Sequence, residues 1–226
     1  MTDRRHAVDF DPEYFAREAS HGRHHSATDA FRHAYLANLW GGAESPSGPG
    51  SGLEQTAELA RAIPELCRRL GIRTLLDLPC GDGHWMGGVA LPGVRYLGAD
   101  LLREVVARAA ARSPGREFLE LDLTASPLPR ADLLLCRDCM VHLSFADNAR
   151  ALENLRRSGI TWLLATTFPD EPVNLDIVTG DWRPLNLELP PFDFPPPREL
   201  LREGCTEQAG RFADKSLGLW RVEVLA

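Results

Sequence analysis

The apolar positions change their period once along the chain. Up to residue 71 they recur at helical spacing. Asp11-Pro12 is a good helix entry for "PEYFAREAS", and "ATDAFRHAYLANLW" continues in the same period. "GGAESPSGPGSG", residues 41–52, breaks it as a loop, and "LEQTAELARAIPELCRRLG" resumes it up to a closing Gly71. From Arg73 onward, short unbroken apolar runs take over: "TLLDL", "VRYLGADL", "EFLELDL", "ADLLLCR" and "ITWLLATTF". Between most of them lie stretches predicted as helices, "HWMGGVA", "LREVVARAAARS" and "FADNARALENLRRSG". Strands that are apolar throughout and alternate with helices predict an α/β fold, a doubly wound, Rossmann-like sheet with both faces covered. In the tail, "PPRELLREG" reads as a helix, and "CTEQAGRF" and "LGLWRVEVL" read as two strands. The expectation is a seven-stranded sheet, mostly parallel, ending in a C-terminal antiparallel hairpin. Residues 1–52 would form an N-terminal helical cap and loop, and residues 53–226 one domain.

Composition narrows the partners. A net charge of -7 argues against non-specific nucleic-acid binding. No apolar run is long enough to span a bilayer, and the first residues lack a secretory apolar region, so a cytoplasmic protein is expected. Scattered cysteines read as reduced thiols, including the CxxC-spaced Cys136 and Cys139. His6, His21, His24, His25 and His33 all fall in the N-terminal 43 residues; those of "HGRHHS" lie in a polar, turn-like segment that reads as a solvated linker rather than a metal site, and no metal is expected. Lys215 is the only lysine among 25 basic residues, which reads as codon usage rather than chemistry. A homo-oligomer is compatible with the sequence.

The candidate site is "TLLDLPCGDGHWM". In a doubly wound sheet, ligands sit at the carboxyl ends of the strands, beside the first one. The glycines there do not make GxGxxG or GxxxxGK[ST], and Asp82 inside the turn would repel a phosphate. A ligand without phosphates that carries positive charge fits better. "LLDLPCGDGHW" resembles the first motif of the class I S-adenosylmethionine-dependent methyltransferases. Pro79 stands where that pattern usually has Gly, as in small bacterial members with a Pro-Cys-Gly-Asp turn.

The resemblance covers residues 71–168 and implies roles for matching positions. Asp100 would accept the ribose hydroxyls, with Leu101 beside it. Asp122 would receive the adenine amino group, and Leu123 would offer its backbone N–H. Asp77 would face the methionine ammonium. Pro79, Gly81, Gly83, Trp85 and Arg137 complete the expected cofactor set. Loop 41–52, with Trp40, would lid the cofactor, as such segments often do in related enzymes.

Asp138 and His142, spaced i, i+4 after the fourth strand, are either a general-base pair on one helix face or anchors of the loop. Residues 169–197 hold many prolines and few helix signals, so they read as a substrate loop at the ligand edge. Trp182, Arg183 and Asn186 there, with Tyr14 from the first helix, are the candidate substrate contacts. The expected activity is methyl transfer to a small molecule. A hydroxyl of a sugar or natural-product intermediate is preferred over N- or C-methylation, or over a non-catalytic S-adenosylmethionine-binding subunit.

Overall fold

The strands assemble as expected, and the differences lie in the connections. In the computed structural model, which describes residues 10–225 (His6 lies outside them), seven strands form one sheet in the order β3-β2-β1-β4-β5-β7-β6. They are β1 Thr74–Asp77, β2 Arg95–Asp100, β3 Glu117–Glu120, β4 Leu133–Cys136, β5 Trp162–Thr167, β6 Glu199–Arg202 and β7 Ser216–Arg221. β1 to β5 run parallel, and β7 lies antiparallel between β5 and β6. This is the Rossmann-like seven-stranded sheet with a C-terminal antiparallel hairpin.

The helices are α1 Tyr14–Ser20, α2 Ala27–Ala37, α3 Ala57–Leu70, α4 Arg103–Arg112 and α5 Phe145–Ser158. Leu59, Ile63 and Leu66 of α3 pack on one face of the sheet, with Leu75, Leu133 and Leu135. Leu152 and Leu155 of α5 pack on the other, with Leu76, Leu134 and Trp220. The central strands β1, β4 and β5 are mostly apolar because neither of their faces meets water, whereas the edge strands β3 and β6 are partly exposed and carry charged residues.

Three expected elements differ. "HWMGGVA" makes only a 3-10 turn, Met86–Gly88. "PPRELLREG" is the edge strand β6, not a helix, because its apolar pair pairs against β7. "CTEQAGRF" is a short turn, Glu207–Gly210, with residues in the left-handed region that prevent a strand. The hairpin therefore consists of β6 and β7.

Residues 169–197 are irregular, and their backbone has no ladder to satisfy it. Side chains do that work. Asn174 Nδ2 donates to the carbonyls of Asn186 and Pro190, at 2.8 and 2.9 Å. Arg183 is buried, with its guanidinium donating to the carbonyls of Met140, Leu143 and Leu175. Asp176 accepts from the N–H of Phe145 at the start of α5.

Candidate active site

Each of the first three strands delivers a carboxylate at or just past its end, Asp77, Asp100 and Asp122, and all three line one cavity at the sheet edge. This cavity holds about 1100 Å³, counted to its open mouth. Pro79, Gly81, Trp85, Leu101, Leu123 and Arg137 line it too, as do Asp138 and His142. Gly83 does not: it packs against Ala109 of α4, where a Cβ would come within 3.3 Å.

The turn after β1 is built by its neighbours. The Cys80 N–H donates to the Ala99 carbonyl at 2.7 Å, which prolongs the β1–β2 pairing. Asp100 accepts from the N–H groups of Gly81 (3.1 Å) and Leu102 (3.2 Å). Gly81 has φ +55°, and a Cβ there would meet Ser47 Oγ at 2.5 Å, so only glycine allows this approach. Asp122 accepts from the Thr124 N–H and hydroxyl.

Asp82 departs from the expectation. Its side chain is 1% exposed and turns away from the cavity, accepting from Ser45 Oγ at 2.7 Å and lying 3.2 Å from Arg112 and 3.6 Å from Arg108. The case against a phosphate ligand rests instead on Asp77, Asp100 and Asp122. The loop over the cavity is pinned at several points. The Asp82 N–H donates to Ser47 Oγ, Glu44 pairs with His84, and Arg137 donates to the Gly50 carbonyl at 2.9 Å.

Burial changes the acids. Burial pushes the Asp77 carboxyl up to about 7, against the pull of the Tyr96 hydroxyl (2.6 Å) and of the Arg137 charge. Burial likewise raises Asp100 to about 6, against its two backbone N–H partners. A ligand that brings an ammonium and hydroxyl donors favours the ionised form of both. Binding of S-adenosylhomocysteine should therefore release protons and weaken on acidification, about tenfold per unit between about pH 7 and 6, where Asp77 protonates, and up to about a hundredfold per unit below about pH 6, where Asp100 joins it. Calorimetric titration in two buffers of different ionisation enthalpy checks this. Affinity unchanged from pH 7.5 to 5.5 would mean the carboxylates do not face the ligand.

Asp138 and His142 are not on a helix face. Asp138 has φ +52°, which breaks any helix there, and His142 ends a 3-10 turn, Met140–His142. What orients the His142 ring is the Asp181 carbonyl, 2.9 Å from Nδ1. A carbonyl only accepts, so Nδ1 carries the proton and Nε2 keeps its lone pair. Burial lowers the ring to about 4, so it is neutral near pH 7. Asp138 instead accepts from Lys215 Nζ at 2.8 Å and lies 3.2 Å from Arg137. Burial opposes its ionisation, but Arg137 and Lys215 outweigh that and hold it well below the usual carboxylate range.

A second cavity adjoins the first and shares Trp40, Ser47, Asp138 and His142 with it. Phe10, Phe168, Trp182 and Phe212 form apolar walls, and Glu207 and Lys215 are polar ones. Of the candidate substrate contacts, only Trp182 lines it. Tyr14 bonds His33 Nε2 at 2.9 Å, and Arg183 and Asn186 hold loop backbone; none of the three lines either cavity. Phe31, Tyr35 and Trp40 line the first cavity. Asp181 was missed by sequence reasoning. Its carboxylate takes the first N–H groups of α1, from Phe15 and Ala16, while its carbonyl holds His142. Among the described residues no group of three or more His, Cys, Asp or Glu side chains is arranged to hold a metal ion, and no helix is long and apolar enough to cross a membrane.

No curated protein sequence matches the chain. Among solved structures it is similar to a magnesium protoporphyrin IX methyltransferase from Synechocystis PCC 6803 with bound S-adenosylmethionine, at 17% identity over 54% of this chain and 63% of that one, TM-score 0.45. It is similar to a TehB-like S-adenosylmethionine-dependent methyltransferase from Corynebacterium glutamicum, at 22% identity over 50% and 63%, TM-score 0.41. A third is a sugar N-methyltransferase from a Streptoalloteichus species, at 24% identity over 51% and 49%, TM-score 0.41. The chain spans less than two thirds of each of these proteins. Residues 75–158 match the family model described as a methyltransferase domain. That match runs from β1 through α5, the stretch whose strand ends build the first cavity.

Proposed function

We propose that the protein transfers a methyl group from S-adenosylmethionine to a small-molecule acceptor, with a hydroxyl of a sugar or natural-product intermediate preferred. The observation that carries this is the common wall of the two cavities, where Trp40, Ser47, Asp138 and His142 face both. The donor set fits the cofactor: three carboxylates among apolar side chains suit a ligand with hydroxyls, an aromatic ring and positive charge. In this reading Asp100 accepts from the ribose hydroxyls, Asp122 and Leu123 meet the adenine edge, and Asp77 faces the ammonium, with Arg137 steadying the turn beside it.

S-adenosylmethionine supplies an electrophilic methyl on a sulfonium. The chain must aim the acceptor at it, exclude water and take a proton from a hydroxyl. Loop 41–52 covers the cavity, and His142 Nε2 is the lone pair at the junction. A ring with a pKa near 4 is a weak base, so its contribution is modest. His142→Ala should lower kcat about tenfold and leave the Kd for S-adenosylhomocysteine unchanged. An assay with methyl-labelled S-adenosylmethionine across glycosides, phenols and amines tests it. An unchanged kcat would favour an amine acceptor, whose own lone pair needs no base when it arrives neutral. Failure to label any acceptor, with S-adenosylhomocysteine bound, would favour a non-catalytic binding subunit.

A further inference from the structure

Lys215, the one lysine among 25 basic residues, is 5% exposed and stands in the wall of the second cavity. Its Nζ donates to Asp138 Oδ2 at 2.8 Å and lies 3.6 Å from Glu203 Oε2 and 3.9 Å from Glu207 Oε2. Only the first distance is a hydrogen bond. Among the described residues, one of its three N–H donors is therefore filled. Buried donors need partners, and the cavity is where these can find them.

Opposite lies Gly50. A Cβ there would fall 3.3 Å from Asp138 Oδ2, Glu207 Oε2 and Lys215 Nζ alike. Three charged tips thus converge on a loop position that has no side chain, which keeps them open. An arginine could not replace the lysine in this place. Its planar fork is larger and its donors point in fixed directions, while an ammonium is compact and can turn.

The surroundings decide what it binds. Arg137 and Lys215 are set against Asp138, Glu203 and Glu207, so the cluster holds one excess negative charge. A carboxylate or phosphate on the ligand would be repelled. An ammonium would be attracted but has no lone pair for the two open donors. A hydroxyl both donates and accepts, so neighbouring hydroxyls can answer a carboxylate and the ammonium together. The same cavity also has an apolar wall: the Trp182 and Phe212 rings meet edge to face at 4.9 Å, and both pack against Phe168. We propose that Lys215, between Asp138 and Glu207, is the specificity-determining residue of the second cavity and selects a neutral polyhydroxylated ring. Only the naming of that ring as the methyl acceptor rests on the methyltransferase reading.

The test uses the full chain, with and without S-adenosylhomocysteine, and saturation-transfer NMR titration. The neutral probes are the methyl α-glycosides of glucose, galactose and mannose, and the charged ones are glucuronate and glucosamine. At least one neutral glycoside should bind, tenfold or more tighter than either charged probe. Lys215→Met should weaken that glycoside at least tenfold. Glu207→Gln alters a partly exposed turn, so it keeps the fold, and by removing the excess charge it should bring glucuronate within about threefold of the glycoside. No binding by any neutral glycoside, charged probes binding as tightly, or no effect of Glu207→Gln would overturn the proposal. Calorimetry with S-adenosylhomocysteine runs alongside. Its failure, with glycoside selection intact, would overturn the methyltransferase reading and leave the role of Lys215 standing.

Discussion

Asp100→Asn should raise the Kd for S-adenosylhomocysteine by about 100-fold or more. The carboxylate does two jobs. It accepts from the N–H groups of Gly81 and Leu102, which shapes the turn, and in the proposed function it also accepts from both ribose hydroxyls. Asparagine keeps the shape but turns one acceptor into a donor, and a donor facing either backbone N–H is repelled. Hydrogen bonds to a charged group contribute about 1.5–3 kcal/mol each, so losing one outright and the charge assistance of the other together comes to the roughly 2.7 kcal/mol that 100-fold requires. Calorimetric titration, with NAD as the control ligand, reads the result. A lower melting temperature with the Kd unchanged would show that Asp100 serves the turn alone.

Arg137→Met should cost about 3–5 kcal/mol of folding stability, a large part of what a domain of this size has. Arg137 is 6% exposed, and its guanidinium grips Glu203, itself 2% exposed, through two hydrogen bonds of 3.1 and 2.6 Å. It also touches Asp138 and the Gly50 carbonyl. Without it, Glu203 and Asp138 share Lys215 as their buried counter-charge. The penalty comes from the stranded carboxylate more than from the lost attraction. Adding Glu203→Leu should therefore recover more than half of the loss, measured by urea denaturation of both variants. A single variant within about 1 kcal/mol of the parent would mean water already screens the cluster.

The sheet was legible because burial on both faces leaves a simple mark. "TLLDL" and "YLGAD" run apolar up to an acid at the carboxyl edge of the sheet, whereas in "LELDL" the exposed edge strand β3 carries Glu120 before Asp122. Edge strand β6 carries no such mark: "ELLR" fits a helix turn as well as a strand, and only pairing with β7 decides. The spacing of Asp138 and His142 was visible, but not the left-handed residue that breaks the helix between them. Arg183 and Asn186 stand in an irregular loop rich in polar residues, where composition cannot tell a side chain that meets a ligand from one that satisfies backbone carbonyls. In the cluster of Arg137, Glu203 and Lys215, Arg137 stands more than sixty residues from its two partners, beyond the reach of any local pattern. Its one trace in the sequence was a lone lysine.

Loop 41–52 contributes Ser47 to both cavities, with Trp40 just before it, and is fastened at Asp82 and Arg137. One strap therefore roofs two rooms. Any displacement of it changes the walls of both at once, so a substitution that loosens its fastening at Asp82 or Arg137 reshapes the two rooms together.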